Sequence, residues 1–338
     1  MFNFDVERFL KIQNGAASQK DAIDKALDEI EGKGGFKNLF LIGSGGAGIL
    51  MMPAEYIMKT HSTLPVYREA AADFLAMNHK HFGPDSLVVM ASLSGTTSET
   101  IEAAKFVKEK GAATISFVGH GDKPLAQATD YTFVNFAEDD TSCESFFMQF
   151  YLLIARIMNK RGEFPQYEAF ANSIAKLPEG LLKVKEQVED RAKAWADKHK
   201  DTPYHLLVGS GTSWGETFYY AMCILEEMQW IKTKAVSAND FFHGTLELVE
   251  KGVSVILFKG EDETRPMMER VERFAVQYTD ELTVFDSKEF ELPGVDAEFR
   301  GWFSPIVFAT LLERVSAHLE HVRNHPLTTR RYYRRIQY

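Results

Sequence analysis

Short apolar runs alternate with stretches of helical periodicity along most of the chain. Runs near 38–43, 64–67, 87–92, 113–118 and 131–135 are apolar at consecutive positions. Strands hydrophobic on both faces belong to parallel sheets covered by helices. Between them, helical spacing is predicted over about 46–60, 70–79 and 98–110. The alternation then recurs, with strands near 204–209, 234–237, 253–258 and 281–285 and helices near 213–230, 242–248 and 264–277.

The recurrence is a duplication. Gly43-Ser44-Gly45 and Gly209-Ser210-Gly211 both end an apolar strand and lie 166 residues apart. Ala72-Asp73-Phe74 and Asn239-Asp240-Phe241 are offset by 167, and Gly95 and Gly260, each after its own strand, by 165. A period of a whole domain implies two α/β copies, each a doubly wound parallel sheet sandwiched by helices. The expected division is 1–160 and 201–338, joined by a helical segment over 161–200. In that segment Ile174, Leu177, Leu181, Val184, Val188 and Trp195 recur among Lys and Glu, punctuated by Pro165 and Pro178-Glu179-Gly180. The tail from His321 to Tyr338 holds five Arg and no carboxylate, with Tyr332, Tyr333 and Tyr338. It is expected to dock on the acidic body, since termini are ordered only when tied down. The competing reading has its Arg and Tyr side chains closing over a ligand.

Charge narrows the partners. The 338 residues carry 38 Lys+Arg against 48 Asp+Glu, a formal charge of -10, which makes nucleic acid and anionic membranes poor partners. The two cysteines, Cys143 and Cys223, form no disulfide framework and no zinc pair, so a cytoplasmic setting is expected. Met1-Phe2-Asn3-Phe4-Asp5 does not begin a signal peptide, and the apolar run Phe146 to Met158 is too short to span a bilayer.

The stretch with the most chemistry is Ser92-Leu93-Ser94-Gly95-Thr96-Thr97-Ser98, which follows a buried strand and opens a helix. Free N–H groups and the dipole of a helix N-terminus favour an anion there. Five hydroxyls add donors, and Gly95 lets the backbone approach. At about 1.5–3 kcal/mol for each hydrogen bond to a charged group, four or five hold a phosphomonoester without Lys or Arg. An ordinary capped turn needs only one Ser or Thr. The loop lacks Gly-Lys-Ser/Thr and is no nucleotide P-loop. Gly43, Gly45 and Gly48 match the spacing of a dinucleotide fingerprint. Arg68-Glu69 and the hydroxyl-rich loop point elsewhere, so the turn is read as admitting a small ligand, and no cofactor is expected. Candidate phosphosugar contacts are therefore Gly43, Ser44, Gly45, Ser92, Leu93, Ser94 and Thr97. The second copy has Lys259-Gly260-Glu261-Asp262-Glu263-Thr264 at this loop, with carboxylates where the first has hydroxyls.

Glu227 and His243, 16 residues apart, are the candidate acid–base pair. A carboxylate flanked by apolar residues late in a helix is expected to have a raised pKa, as a general base needs, and imidazole passes protons near neutrality. In isolation, each also fits a solvated Glu and a packed His. His318, His321 and His325 lie at helical spacing, but without partner ligands they are read as helix surface rather than metal site.

The loop at Ser92-Leu93-Ser94-Gly95-Thr96-Thr97 resembles the phosphosugar loop of the sugar isomerase (SIS) domain family, and the duplication resembles its double-domain members. Glu227 and His243 match the Glu and His at the same separation in the isomerase half of glucosamine-6-phosphate synthase. A more specific resemblance is to deglycases of 6-phosphorylated fructose–amino acid adducts. It is carried by Glu227-Met228-Gln229-Trp230-Ile231, Phe242-His243-Gly244, Asp262-Glu263-Thr264-Arg265-Pro266 and His325-Pro326-Leu327-Thr328-Thr329-Arg330-Arg331-Tyr332. The resemblance implies two tandem SIS domains, a phosphorylated sugar–amino acid substrate, Glu227 as base and His243 as acid, and a homodimer with a shared active site. Gly45 stands where relatives often carry Ser, so that donor is missing or replaced by Ser44. Thr245 and Asn239-Asp240 also depart from the family pattern. The alternatives are a phosphosugar isomerase or glucosamine-6-phosphate deaminase, and a sugar-phosphate sensor without catalysis, which would have no need of Glu227 with His243.

Overall fold

The computed structural model of the chain describes residues 1–137, 139 and 142–337; Tyr338 of the tail lies outside them. Two compact units emerge, one of Val6–Glu179 with Gly294–Asp296, the other of Met1–Asp5, Gly180–Pro293 and Ala297–Tyr338. Their boundary in the middle of the chain falls within a single helix, inside the stretch 161–200 that the sequence reads as a joining segment.

The first unit opens with α1 (Val6–Ala17) and α2 (Lys20–Gly32). Sequence reading assigned no elements here, although Phe9, Ile12, Ala16, Ile23, Leu27 and Ile30 are buried at helical spacing. There follow β1 (Asn38–Gly43), α3 (Gly46–Leu50), α4 (Met52–His61), β2 (Val66–Ala70), α5 (Ala71–Met77), β3 (Ser86–Ser92), α6 (Ser98–Glu109), β4 (Ala113–Val118), α7 (Pro124–Ala128), β5 (Tyr131–Val134) and α8 (Glu144–Lys160). The strands form one parallel sheet in the order β2-β1-β3-β4-β5. Phe40, Ile42, Val88 and Met90 pack on one face of it against Phe74, Ala103, Ala104 and Val107. α8 is buried almost all round, packing on α1, α2 and α4. Its apolar run is thus a core helix, and among the described residues no helix is long and apolar enough to cross a membrane.

α9 runs unbroken from Tyr167 to His199, 33 residues with Pro178 inside it. The sequence suggested punctuation there. The helix continues because Ile174, Leu177, Leu181, Val184 and Val188 keep one apolar stripe in register across the proline, all of them buried.

The second unit carries β6 (Tyr204–Gly209), α10 (Trp214–Tyr219), β7 (Lys232–Ser237), α11 (Ala238–Phe241), β8 (Ser254–Lys259), α12 (Arg265–Tyr278), β9 (Leu282–Asp286) and α13 (Arg300–Arg323). Its four strands are parallel in the order β7-β6-β8-β9. The same strand order around the first strand, met in both units, is that of a doubly wound sheet.

Strand register corrects one landmark of the repeat. Leu39 pairs with Leu87 and His205 with Ser254, so third strands align with an offset of 167 rather than 165. The counterpart of Gly95 is therefore Asp262, not Gly260, and that of Thr97 is Thr264. The following helices agree, since Thr97 and Thr264 stand at the N-cap positions of α6 and α12.

Asp262 fills the loop from inside. One carboxylate oxygen accepts from the Thr212 N–H and hydroxyl at 2.7 and 2.6 Å, the other from the Thr264 N–H and hydroxyl at 2.9 and 2.5 Å. Gly211, at φ +53, leaves room for it, since an added Cβ there would stand 2.4 Å from the Asp262 carboxylate. Arg265 grips Asp286 with both terminal nitrogens and Arg300 grips Glu261, so the acidic loop is ion-paired within its own unit.

His205 on β6 is fully buried, with Nδ1 2.7 Å from Ser254 Oγ and Nε2 without a partner. Burial, aided by the positive charges of His199 and Arg323, pushes its pKa down to about 3.

Two outcomes follow from these buried groups. Replacing Asp262 by Ala strands the Thr212 and Thr264 N–H groups, while the two hydroxyls retain Gly301 and Ser210, and should lower stability by on the order of 3 kcal/mol in urea unfolding monitored by circular dichroism. His205 binds its proton less readily folded (about 3) than unfolded (near 6.5), so its contribution is complete above pH 6.5 and is lost as pH falls toward 3. His205→Asn should remove a slope of about 1.4 kcal/mol per pH unit from the acid limb of stability between those values; an unchanged limb would rule out His205 as its source.

Candidate active site

In the first unit the glycine turn and the hydroxyl loop lie at the carboxyl ends of adjacent strands, β1 and β3. The turn is tight. A Cβ on Gly43 would stand 2.8 Å from the Gly48 nitrogen, and Gly45 adopts φ +55 with open space beside it. Ser44 Oγ lies 3.4 Å from Thr100 Oγ1 of α6, which ties the turn to the helix that the hydroxyl loop opens. Within that loop Ser92 Oγ accepts from the Gly95 N–H at 3.1 Å and sits 3.2 Å from Thr97 Oγ1. Ser94 Oγ accepts from the Thr96 hydroxyl at 3.1 Å. Leu93 fixes the loop through its backbone, its carbonyl accepting from the Gly119 N–H at 3.1 Å. Gly95 has φ +63, and a Cβ there would collide with Lys123 Cβ at 2.6 Å. Thr97 occupies the N-cap position of α6 in extended conformation, yet its hydroxyl makes no cap hydrogen bond. The first-turn amides of α6 are thus left without that acceptor.

The second unit indicates what such a cradle accepts. There a carboxylate bridges the residues equivalent to Gly46 and Thr97, namely Thr212 and Thr264. The side chain that carries it, Asp262, has Gly95 as its counterpart. The first unit thus keeps the two backbone N–H groups and the Thr97 hydroxyl, with Gly46 in place of the other threonine, and lacks the internal anion, an arrangement suited to an anionic group from outside.

Glu227 follows a rare piece of helix. Tyr220–Glu226 is a π-turn, and the Glu227 N–H reaches back to the Met222 carbonyl at 3.0 Å. The widened turn rotates the residues after it, and such turns frequently occur at functional sites. No apolar wall surrounds this carboxylate as the sequence suggested. Arg330 of the tail stands against it, Nε to Oε1 2.8 Å, with both side chains partly exposed.

Trp230 ends this segment at φ +56, a conformation a bulky side chain rarely adopts. The tail is built onto it. Gln229, buried, donates to the His325 carbonyl at 2.7 Å, the His325 ring meets Trp230 edge-on at 4.6 Å, and Arg331 stacks over the indole at 4.1 Å. The tail therefore docks, as expected, but on the Glu227–Trp230 segment rather than on a general acidic surface. His243 lies just after α11, its N–H bonded to the Asp240 carbonyl at 2.9 Å. Its side chain is exposed, so it is no packed core residue.

Three features escaped the sequence reading. The π-turn has no compositional mark. The Arg330–Glu227 pair joins residues 103 positions apart, with only the concentration of Arg in the tail as a hint. His318 was read as surface; it is buried, 3.2 Å from Glu189 and stacked on Phe2, because α13 is enclosed on that side. Among the described residues, no three His, Cys, Asp or Glu side chains gather as metal ligands would.

Known proteins place this architecture. Residues 36–158 match the SIS domain family. Over 314 residues the chain is 30% identical to the fructosamine deglycase of Bacillus subtilis, covering 92% of this chain and 95% of that one. It is 23% identical to the fructoselysine 6-phosphate deglycase of Escherichia coli over 87% of this chain and 85% of that one. A crystal structure from Bacillus subtilis, assigned to the phosphosugar isomerases, superposes with a TM-score of 0.87 at 30% identity, covering 95% of this chain and 100% of the other. With two parallel sheets of like topology and this relatedness over nearly its whole length, the chain belongs to the double-domain SIS proteins, in the family of the fructosamine deglycases.

Proposed function

We propose that this protein is a deglycase that cleaves a 6-phosphorylated fructosamine, a fructose 6-phosphate whose C1 bears an amino acid's nitrogen, to glucose 6-phosphate and the free amine. The observation that carries the reading is the difference between equivalent loops. One is closed by its own Asp262 carboxylate; the other offers Ser44, Gly45, Ser94, Thr97 and the amides of α6 with glycine in place of that side chain. A phosphomonoester supplies the missing anion. The relatedness to deglycases of phosphorylated fructosamines supports the choice of substrate.

The remaining steps are proton transfers. His243, with its imidazole exposed, assists opening of the sugar ring. Glu227 removes a proton from C1, and the electron pair moves toward C2 to give the enaminol. Reprotonation at C2 yields an imine at C1. Water adds to it, and the amine departs as the aldehyde of glucose 6-phosphate forms. Arg330 keeps the Glu227 carboxylate in one place between turnovers. Each acid–base role contributes about 10²–10⁴ in rate.

Glu227→Gln should therefore lower kcat by at least 10²-fold, as an order-of-magnitude estimate, while calorimetry still detects substrate binding. In deuterated water the parent enzyme should release glucose 6-phosphate labelled at C2. Normal turnover by the variant would remove Glu227 from the role of base, and unlabelled product would remove the enaminol. Glucosamine 6-phosphate assayed in parallel separates a deglycase from a deaminase.

A further inference from the structure

Arg331 is the feature of the tail that docking alone does not explain. Its neighbour Arg330 is neutralised by Glu227 and also donates to the carbonyls of Leu327 and Thr329. Arg323 is spent on the backbone carbonyls of Lys200 and Gln229. Arg331 is exposed, lies over Trp230 at 4.1 Å, and has no carboxylate partner among the described residues. A guanidinium that rests its carbon over an indole leaves its N–H fork available to a carboxylate. The indole is itself held, by the left-handed backbone of Trp230 and by the His325 ring set edge-on against it. A fixed cation is thereby displayed one residue beyond the one that grips Glu227.

We infer that Arg331, supported by Trp230, reads the carboxylate of the amino-acid part of the substrate. The inference rests on the deglycase reading, and its chemistry is direct. If Glu227 takes a proton from C1, the substituent nitrogen is bonded to the reacting carbon. A carboxylate on the carbon next to that nitrogen lies only three bonds beyond C1. The group that recognises it must then sit beside the residues that hold Glu227, and Arg331 is the cation placed there without an anion of its own. The subsite distinguishes amino-acid adducts from adducts of simple amines. It carries no proton and takes no part in the bond changes.

The test pairs two substrates with two proteins. The 6-phosphorylated fructose adducts of glycine and of methylamine differ by one carboxylate. The parent protein should favour the glycine adduct. Arg331→Gln should lose about 10- to 100-fold in kcat/KM on the glycine adduct, mainly through KM, with the methylamine adduct within about twofold of the parent. Arg331→Lys should recover part of the loss, because it restores charge without the fork. Equal losses on both adducts, or no loss on either, would overturn the assignment of Arg331 while leaving the deglycase reading intact. Failure of the parent to cleave either adduct would overturn the deglycase reading and this inference together.

Discussion

Backbone N–H groups at the start of a helix demand an acceptor, and a doubly wound sheet aims several of them at the carboxyl ends of its central strands. This chain meets that demand in two ways. In the second unit Asp262 turns its carboxylate inward and collects two backbone and two hydroxyl donors, closing the loop permanently. In the first unit the equivalent residue is Gly95, whose φ of +63 and tight approach to Lys123 allow no side chain at all. The same backbone requirement is met internally in one unit and by no side-chain carboxylate of its own loop in the other. Among the differences between the two copies, one loop carries an internal carboxylate where the other has glycine.

Much of this was legible in the residues. Parallel strands announce themselves as apolar runs buried on both faces, and β1, β3, β4 and β6 fall where that pattern predicts them. The hydroxyl loop is equally plain, because Ser and Thr cluster beyond what one cap needs. Less was visible where long-range pairing decides the outcome. The alignment of Gly95 with Gly260 followed residue type, whereas register aligns it with Asp262, and only the register shows that the second loop is filled rather than merely acidic. α1 and α2 are hard to see in the sequence because their apolar stripes are narrow and, in α2, interleaved with many charged residues, although the buried positions keep helical spacing.

The surroundings of Glu227 show another limit of local reading. Apolar neighbours in sequence suggested an apolar wall. Ile224, Leu225 and Met228 are indeed buried, but they point into the core, and the π-turn directs Glu227 elsewhere. What meets the carboxylate is Arg330, from a segment that sequence alone could only describe as basic. A base held by a guanidinium is kept ionised and oriented at some cost in basicity; one in an apolar pocket gains basicity and loses orientation. In this structure a guanidinium, that of Arg330, stands against the carboxylate and orients it.

That choice explains why the tail is anchored so heavily for so short a segment. Orienting a partly exposed carboxylate with an arginine works only if the arginine is itself fixed, since a long flexible side chain loses rotamer entropy on pairing. The buried Gln229 amide on the His325 carbonyl, the Glu320 carboxylate on the Leu327 N–H and the Arg330 bonds to Leu327 and Thr329 supply that fixation in successive steps along the tail. Trp230 completes it by accepting a strained backbone so that its ring can meet His325 and Arg331. A tail that merely covered acidic surface would need none of these directional contacts. Its docking is therefore best understood as the means by which a partly exposed ion pair acquires a defined geometry.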